Sequence, residues 1–297
     1  MAQPNPTTIP LVPVPPTLAT SYGLQGKTRD GMNKPWRYDK LLSVAAISRK
    51  NPEVWTCTPG MAQSLLDLDA SMKAKGSAGI RLTEVRRLWG FQATERAKFD
   101  TWVAAGRPDP GTRTFHAEVM RTTFVSKPGE SNHQWGGAVD IDAFALDFPG
   151  VKEDAQLSVF WDLADDVGLL PIIKHADRSQ SECWHFDRLG PLQGVYDLFT
   201  AAGKTNPAYR PPYALTAFTG CVLTGTFTGD AKLERLVQAR LLIAGQFVGK
   251  PDGVLGTMTF RGLEAVGITG VAKGTPASIL LGRLDELRVG LDAIGAA

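Results

Sequence analysis

Two short stretches, well separated along the chain, carry side chains that must meet in space to act together. The first reads Ser131-Asn-His-Gln-Trp-Gly-Gly-Ala-Val-Asp140 and the second reads Glu182-Cys-Trp-His185. Two imidazoles and one carboxylate form a common ligand set for a catalytic zinc ion, with a fourth position open to water. The glutamate ahead of the second histidine has the chemistry of a general base. The fold of this chain must therefore bring both histidines and both carboxylates close together in space.

The types of these residues favour zinc among the biological metals. Imidazole suits borderline metals, whereas calcium and magnesium prefer shells made of oxygen atoms. Two histidines with one carboxylate also bind non-heme iron, so the residues alone leave zinc and iron open. Cys183 and His175 are rival ligands, because a thiolate or a further imidazole near His185 could bind the same metal.

The order Ser-x-His-x-x-Gly-x-Ala-x-Asp and then Glu-x-Trp-His resembles the D-alanyl-D-alanine carboxypeptidase (VanY-like) family of zinc peptidases. This family includes phage endolysins that cut the peptides of peptidoglycan, and the resemblance covers roughly residues 60–190. A Gly-Tyr-Arg element of the family stands here as Gly79-Ile-Arg81, without the tyrosine. The resemblance implies zinc ligation by His133, Asp140 and His185, and catalytic roles for Glu182 as the base and for Arg81.

Several neighbours of these residues have two open interpretations. Trp135 and Trp184 are predicted to contact substrate with Ser131, because tryptophan is enriched in binding pockets, but tryptophans also pack in cores. Asp187 shares a strand face with His185 and either hydrogen-bonds it or lies at the surface. Residues three apart on an ideal strand face opposite sides, so Glu182 must sit on a bend before that strand.

Breaks in the sequence pattern predict four regions. They are a proline-rich extended arm (1–30), a zinc peptidase domain (31–205), a linker (206–230) and a helical domain (231–297). The predicted fold class is α+β. The resemblance implies a small antiparallel sheet with helices, and three helical patterns predict a C-terminal three-helix domain.

Local patterns predict individual elements within the peptidase domain. A helix should begin at Pro59 after the cap Thr58, with an apolar stripe of methionines and leucines and an end at Gly76. A second helix should run from a cap at Thr83 toward Ala105. The alternation in residues 137–142 and 183–187 predicts strands.

The C-terminal region has a resemblance of its own. Leu236-Val-Gln-Ala-Arg-Leu-Leu, followed by Pro251-Asp-Gly-Val-Leu-Gly-Thr-Met-Thr259, is similar to the peptidoglycan-binding three-helix module. That module joins its helices through an Asp-Gly-x-x-Gly-x-x-Thr turn, and the resemblance implies bacterial peptidoglycan as the partner. Because no histidine follows His185, we expect this region to target the enzyme and not to contribute to the site.

Composition and charge limit which partners and which cellular compartment this protein can have. The 297 residues carry a net charge of +2, which is too small to indicate nucleic acid as a partner. No apolar run approaches the ~20 residues that span a bilayer, so we predict no membrane insertion. We predict a monomer, because the four-three spacing of the last helix is shorter than the three to four heptads typical of a coiled coil. Three cysteines are too few and odd in number for a disulfide framework, and we expect reduced, buried thiols for at least two of them. The N-terminus lacks a signal-peptide pattern, so we expect synthesis in the cytoplasm and action on the wall after host lysis or dedicated secretion.

These observations predict a zinc-dependent, endolysin-like peptidase that hydrolyses amide bonds of cell-wall stem peptides, with the L-alanyl-D-glutamate bond favoured. A D-alanyl-D-alanine carboxypeptidase and a secreted antibacterial effector are alternatives of the same class. An alternative of another class is a non-catalytic cell-wall-binding or virion structural protein. The complete set of ligands and base argues against that alternative, because a degenerate site would have lost a member.

Overall fold

The computed structural model describes residues 9–20, 42–49, 52–107, 125–178, 182–201 and 213–291, which fold as a mixture of helices and small sheets. The strands of this part are β1 (Val12–Pro13), β2 (Ala19–Thr20), β3 (Leu42–Ser43), β4 (Thr56–Cys57), β5 (Arg81–Glu84), β6 (Ala138–Ile141), β7 (Leu170–Pro171) and β8 (His185–Asp187). The α-helices are α1 (Val44–Ser48), α2 (Pro59–Ala74), α3 (Trp89–Ala104), α4 (Gln156–Asp166), α5 (Gln193–Ala201), α6 (Tyr213–Leu223), α7 (Lys232–Ile243), α8 (Thr257–Ala265) and α9 (Ala277–Glu286). The predicted α+β class is confirmed, because this part of the chain contains both helices and small sheets.

Six strands form the main sheet, in the order β3-β2-β5-β6-β8-β7. Neighbouring strands are antiparallel except for β2 and β5, which run parallel. The prediction of an antiparallel sheet is therefore wrong for this pair. Its cause is the N-terminal segment, which inserts β2 between β3 and β5.

Residues 9–20 of the predicted arm are integrated into the fold. Strand β1 pairs with β4, and the side chains of Val14 and Leu18 lie in the core below the sheet. At the start of this segment, the Ile9 amide donates to the Leu223 carbonyl at 2.8 Å. Proline keeps the segment extended, and extended backbone is what an added strand requires. The other residues of the arm lie outside the described part.

Helix α2 begins and packs as its sequence predicts. The Thr58 hydroxyl accepts a hydrogen bond from the Met61 amide at 3.3 Å, and proline occupies the first helical position. The stripe Met61, Leu65, Leu68 and Met72 is buried. This stripe packs beside α4 in the core of the sheet. The apolar residues, which recur with the period of a helix, therefore lie on one buried face of α2.

Helix α3 begins later than predicted. Thr83 belongs to strand β5, and the helix starts at Trp89 with Leu88 as its N-cap residue. Strand pairing supplies the reason, because Leu82 and Glu84 pair with Ile141 and Asp140 of β6. Hydrogen bonding to a partner strand overrides a local capping signal. Phe99 and Trp102 are buried on α3 as predicted.

Helices α5–α9 share a second core, which also contains Ile9 and Trp135. The three predicted C-terminal helices are present as α7, α8 and α9. Helix α6 occupies residues 213–223 of the predicted linker 206–230, a correction explained by its apolar face, which packs on α5 and α7. The predicted linker residues up to 212 lie outside the described part. No described helix is long and apolar enough to cross a membrane.

All three cysteines are buried and free, as expected from their number. Burial raises the pKa of the Cys57, Cys183 and Cys221 thiols to about 12. Thiols of this kind are protonated near neutral pH and poor as metal ligands.

Candidate metal centre

Two neighbouring strands hold two of the predicted ligands face to face. Asp140 of β6 pairs directly with His185 of β8, and opposite residues of an antiparallel pair lie on the same sheet face. The third ligand, His133, lies on the 3₁₀ helix Asn132–Trp135, which precedes β6. Gly136 ends this 3₁₀ helix with φ of 75°, a left-handed conformation that glycine adopts without strain. The chain can thus turn from His133 into the strand that carries Asp140.

The three donor atoms form a nearly equilateral triangle. His133 Nε2 lies 3.2 Å from Asp140 Oδ1 and 3.1 Å from His185 Nδ1. His185 Nδ1 lies 3.0 Å from Asp140 Oδ1. Together these residues could hold a metal ion, since each offers one ligand atom and all three are largely shielded from solvent.

Partners outside the triangle determine which ring nitrogen points inward. His133 Nδ1 lies 2.6 Å from the Val85 carbonyl, and His185 Nε2 lies 3.0 Å from Asp187 Oδ1. A carbonyl and a carboxylate only accept, so these outer nitrogens carry the hydrogens of the neutral rings. The inward atoms, His133 Nε2 and His185 Nδ1, then carry no hydrogen. Their lone pairs face a third acceptor, the Asp140 carboxylate. A cation among these three acceptors removes their repulsion, so the donor set fits a metal ion.

The electrostatics of the site agree with this need for positive charge. Burial by itself would lower the pKa of His185, but the neighbouring carboxylates Asp187 and Asp140 hold it well above its usual range. Burial would raise the pKa of Asp140, but charge and hydrogen bonds from both histidines hold it below its usual range. Both shifts favour positive charge beside the Asp140 carboxylate.

Glu182 lies beside the triangle and outside it. It interacts electrostatically with His185, Asp140 and His133, yet it is not among the residues whose ligand atoms converge. Burial raises the pKa of Glu182 above its usual range. As the strand geometry required, Glu182 sits on a bend: its φ is 69°, and its carbonyl accepts from the His185 amide at 3.0 Å. A positive φ at a glutamate is uncommon, and such residues are concentrated at functional sites.

Arg81 lies on the same sheet face as the ligands. The Asp142 amide, just beyond the end of β6, donates to the Arg81 carbonyl at 2.8 Å, so these two residues lie opposite each other across the paired segments. Asp142 lies two residues from Asp140 and so shares its face. The Arg81 guanidinium lies 3.5 Å from the Asp147 carboxylate and is partly exposed. Its catalytic role stays a prediction.

A second charged pair borders the site, and the sequence interpretation missed it. Glu84 pairs directly with Asp140 across the sheet, and Arg87 Nε donates to Glu84 Oε1 at 2.8 Å. Burial would raise the pKa of Glu84, but Arg87 outweighs burial and lowers it. The Arg87 amide also donates to the His133 carbonyl at 3.2 Å. Glu84 and Arg87 were missed because the residues after Thr83 were expected to form a helix, in which charges three apart form an ordinary surface pair.

The rival ligands lie outside the triangle. Cys183 is buried, and its Sγ lies 3.8 Å from the Arg178 carbonyl, its hydrogen-bond partner. His175 is described too and is not part of the cluster. Asp187 contacts His185 as one of its two interpretations predicted, and it is buried. Asp187 therefore orients the imidazole ring of His185.

The predicted substrate contacts separate into two groups. Trp135 is fully buried in the core of α5–α9, and its Nε1 donates to Asn132 Oδ1 at 2.8 Å. We therefore correct its predicted substrate contact to a packing role, because a side chain without exposed surface cannot meet a substrate. Ser131 is buried just before the 3₁₀ helix, and Trp184 is partly buried against the sheet core. Substrate contact by these two residues stays a prediction.

Comparison of this chain with protein-family models, with curated proteins and with solved structures found no match. The class of site is accordingly defined by geometry: a buried cluster of two histidines and one aspartate that could hold a metal ion, with a glutamate beside it.

Proposed function

We propose that this protein is a zinc-dependent peptidase that hydrolyses amide bonds in the stem peptides of peptidoglycan, with the L-alanyl-D-glutamate bond as its target. The observation that carries the proposal is the convergence of three metal-binding atoms beside Glu182, a carboxylate that does not belong to the triangle. The motifs that hold these residues support peptidoglycan as the substrate, because they resemble those of peptidases that cut it.

Zinc is the metal that the donor set favours. In a tetrahedral zinc shell with bonds near 2.0–2.1 Å, neighbouring donors lie about 3.3 Å apart. The separations of 3.0–3.2 Å within the triangle are close to this value. When bound by His133, Asp140 and His185, zinc supplies a Lewis acid that acidifies water and polarises the amide carbonyl.

The protein's own residues supply the proton transfers and the orientation. Glu182 accepts the proton of the attacking water and then delivers it to the leaving amine. Burial raises the pKa of Glu182 toward neutral pH, the direction that favours a group acting first as a base and then as an acid. Arg81, on the same sheet face, would stabilise the developing negative charge on the carbonyl oxygen. Val85 and Asp187 hold the two histidine rings in the tautomers that ligation requires.

Glu182→Gln tests the base directly. We expect the variant to keep about one zinc per chain and to lose hydrolysis by about 10²–10⁴-fold, since the amide keeps the shape of the side chain but cannot take a proton. The control is Glu264→Gln on exposed α8, which should retain both properties. Purified protein would be assayed on cell-wall peptidoglycan after metal analysis, with the fragments identified by mass spectrometry.

Each outcome of this assay is informative. New amino termini on D-glutamate support the proposed bond, whereas release of D-alanine indicates a carboxypeptidase. Near-normal turnover in Glu182→Gln would remove Glu182 from the mechanism. Wild-type protein with neither metal nor hydrolysis would favour the non-catalytic wall-binding protein, and iron in place of zinc would change the reaction class.

A further inference from the structure

The 3₁₀ helix that carries His133 is anchored in a different core from the other two ligands. Trp135 ends this helix and belongs to the core of α5–α9. Strands β6 and β8, which carry Asp140 and His185, place Val139 and Phe186 in the core below the sheet. The metal centre therefore lies where the two cores meet, with one ligand held from the C-terminal side.

The indole of Trp135 is held between two glycines. A Cβ atom built on Gly220 of α6 would lie 2.6 Å from Trp135 Cγ and Cδ2, and one built on Gly137 would lie 2.0 Å from Trp135 Cζ2. Real Cβ atoms do not approach this closely, so any side chain at position 220 must displace the ring. Glycine is also less favourable than alanine inside a helix. Its presence in α6 is thus explained by the space that the indole needs.

A displaced indole would move the metal ligand, because Trp135 and His133 share one tight turn. The Gly137 amide donates to the Asn132 carbonyl at 3.0 Å, and the Gly136 amide to the His133 carbonyl at 3.3 Å. The Trp135 ring itself is tied to Asn132 at 2.8 Å. Metal–ligand distances tolerate changes of about 0.2 Å. A shift of the turn by a few tenths of an ångström, of the order needed to relieve the Gly220 contact, is therefore enough to weaken ligation.

We propose that Gly220 is a positioning residue for the metal centre, acting through Trp135 on His133, and that α6 is an integral part of the catalytic unit. This inference rests on the metal site of the proposed function. Helix α6 packs directly against the 3₁₀ helix Asn132–Trp135. The expectation that the helical domain 231–297 targets the enzyme stays a prediction.

The test compares Gly220→Ala with Gly282→Ala. Gly282 lies inside α9, where an added Cβ meets no atom within 4 Å, so the second variant makes the same change to a helix without the contact. We expect Gly220→Ala to weaken zinc binding by about 10–100-fold, the range seen when groups that orient a ligand are altered. Gly282→Ala should bind zinc as the wild type does. Zinc affinity would be measured by competition with a chromogenic chelator.

A rescue experiment separates positioning from a general loss of stability. Trp135→Phe shrinks the ring that Gly220→Ala would strike, so the double variant should bind zinc more tightly than Gly220→Ala alone. The visible absorption of the cobalt(II)-substituted proteins should change in Gly220→Ala and return toward the wild-type spectrum in the double variant. If Gly220→Ala does not fold, recovery of both fold and zinc binding in the double variant supports the inference, and the lack of recovery overturns it.

The remaining outcomes distinguish this inference from the proposed function. Zinc binding in the wild type that Gly220→Ala leaves unchanged would overturn the positioning role and leave the peptidase proposal intact. The positioning role is overturned in the same way if Gly220→Ala folds, loses affinity and is not improved by Trp135→Phe. A wild-type protein without affinity for zinc would overturn the zinc assignment and the positioning role with it.

Discussion

The two histidines of the metal centre present different ring nitrogens to the same point. His133 directs Nε2 inward because the Val85 carbonyl takes the hydrogen of Nδ1, and His185 directs Nδ1 inward because Asp187 takes the hydrogen of Nε2. A backbone carbonyl cannot be removed by substitution, but Asp187 can be changed. The orienting carboxylate is therefore the residue at which this arrangement can be tested.

We predict that Asp187→Asn weakens zinc binding by about 10–100-fold without removing it, because the amide lacks the charge that makes His185 a stronger ligand. Asp162→Asn, on the exposed face of α4, is the matched control. Chelator competition measures both affinities. Equal affinity in Asp187→Asn and the wild type would show that the contact at 3.0 Å does not support ligation.

The ion pair of Glu84 and Arg87 lies beside the three candidate metal ligands. The pair lies between the strand of Asp140 and the backbone of His133, so it connects two ligand-bearing segments. Arg87 also donates to Gln92 Oε1 at 3.0 Å, which links the pair to α3. The carboxylates of Glu84, Asp140 and Glu182 all favour the charged form of the Arg87 guanidinium.

Among the helices, α9 depends on one buried side chain of α7. Arg240 is almost fully buried and donates to the Val289 carbonyl at 2.6 Å, to Asp285 Oδ1 at 2.8 Å and to the Leu284 carbonyl at 3.2 Å. These acceptors lie at and just beyond the C-terminal end of α9, where carbonyls lack helical partners. One guanidinium thus satisfies the end of this helix and fixes it to α7.

We predict that Arg240→Met lowers the free energy of unfolding by about 2–3 kcal/mol, because the carbonyls and Asp285 lose their donor in a buried setting. Arg283→Met removes a single exposed hydrogen bond to the Thr269 carbonyl and should cost less than about 0.5 kcal/mol. Urea unfolding of both variants gives the comparison. A similar cost for the two substitutions would contradict the role of Arg240 in fixing α9 to α7.

On the scale of the whole molecule, the described contacts that join the two cores include the following three. Residues 9–20 begin in the C-terminal core at Ile9 and reach the main sheet at β2. Trp135 reaches from the 3₁₀ helix into the C-terminal core. The third connection is the metal centre itself, whose ligands come from both sides, so metal binding and the docking of the cores should stabilise each other.

We predict that zinc at about one hundred times its dissociation constant stabilises the fold by about 2.7 kcal/mol, since the unfolded chain lacks the assembled site. For a chain of this size the midpoint of thermal unfolding should rise by about 5–10 °C. His133→Ala should abolish this rise. Circular dichroism with zinc and with a chelator measures the effect, and a rise that persists in His133→Ala would place the stabilising zinc elsewhere.

Features that are encoded within a few residues could be predicted from the amino-acid sequence alone. The Thr58 cap and the apolar stripe of α2 were readable because capping and helical periodicity are local. The bend at Glu182 followed from the alternation of a strand. The sequence also identified His133, Asp140 and His185, whose donor atoms converge in the fold, because the motifs around them resemble those of a known family.

Features that depend on contacts between distant segments could be seen only in the folded chain. Residues 81–84 became a strand because β6 supplies hydrogen-bond partners, and Trp135 became an anchor because Gly220 leaves room for its ring. The choice of ring nitrogen at each histidine likewise depends on Val85 and Asp187, which no spacing rule pairs with both rings. Local propensities differ by about 1 kcal/mol or less per residue, so packing and pairing between distant residues outweigh them.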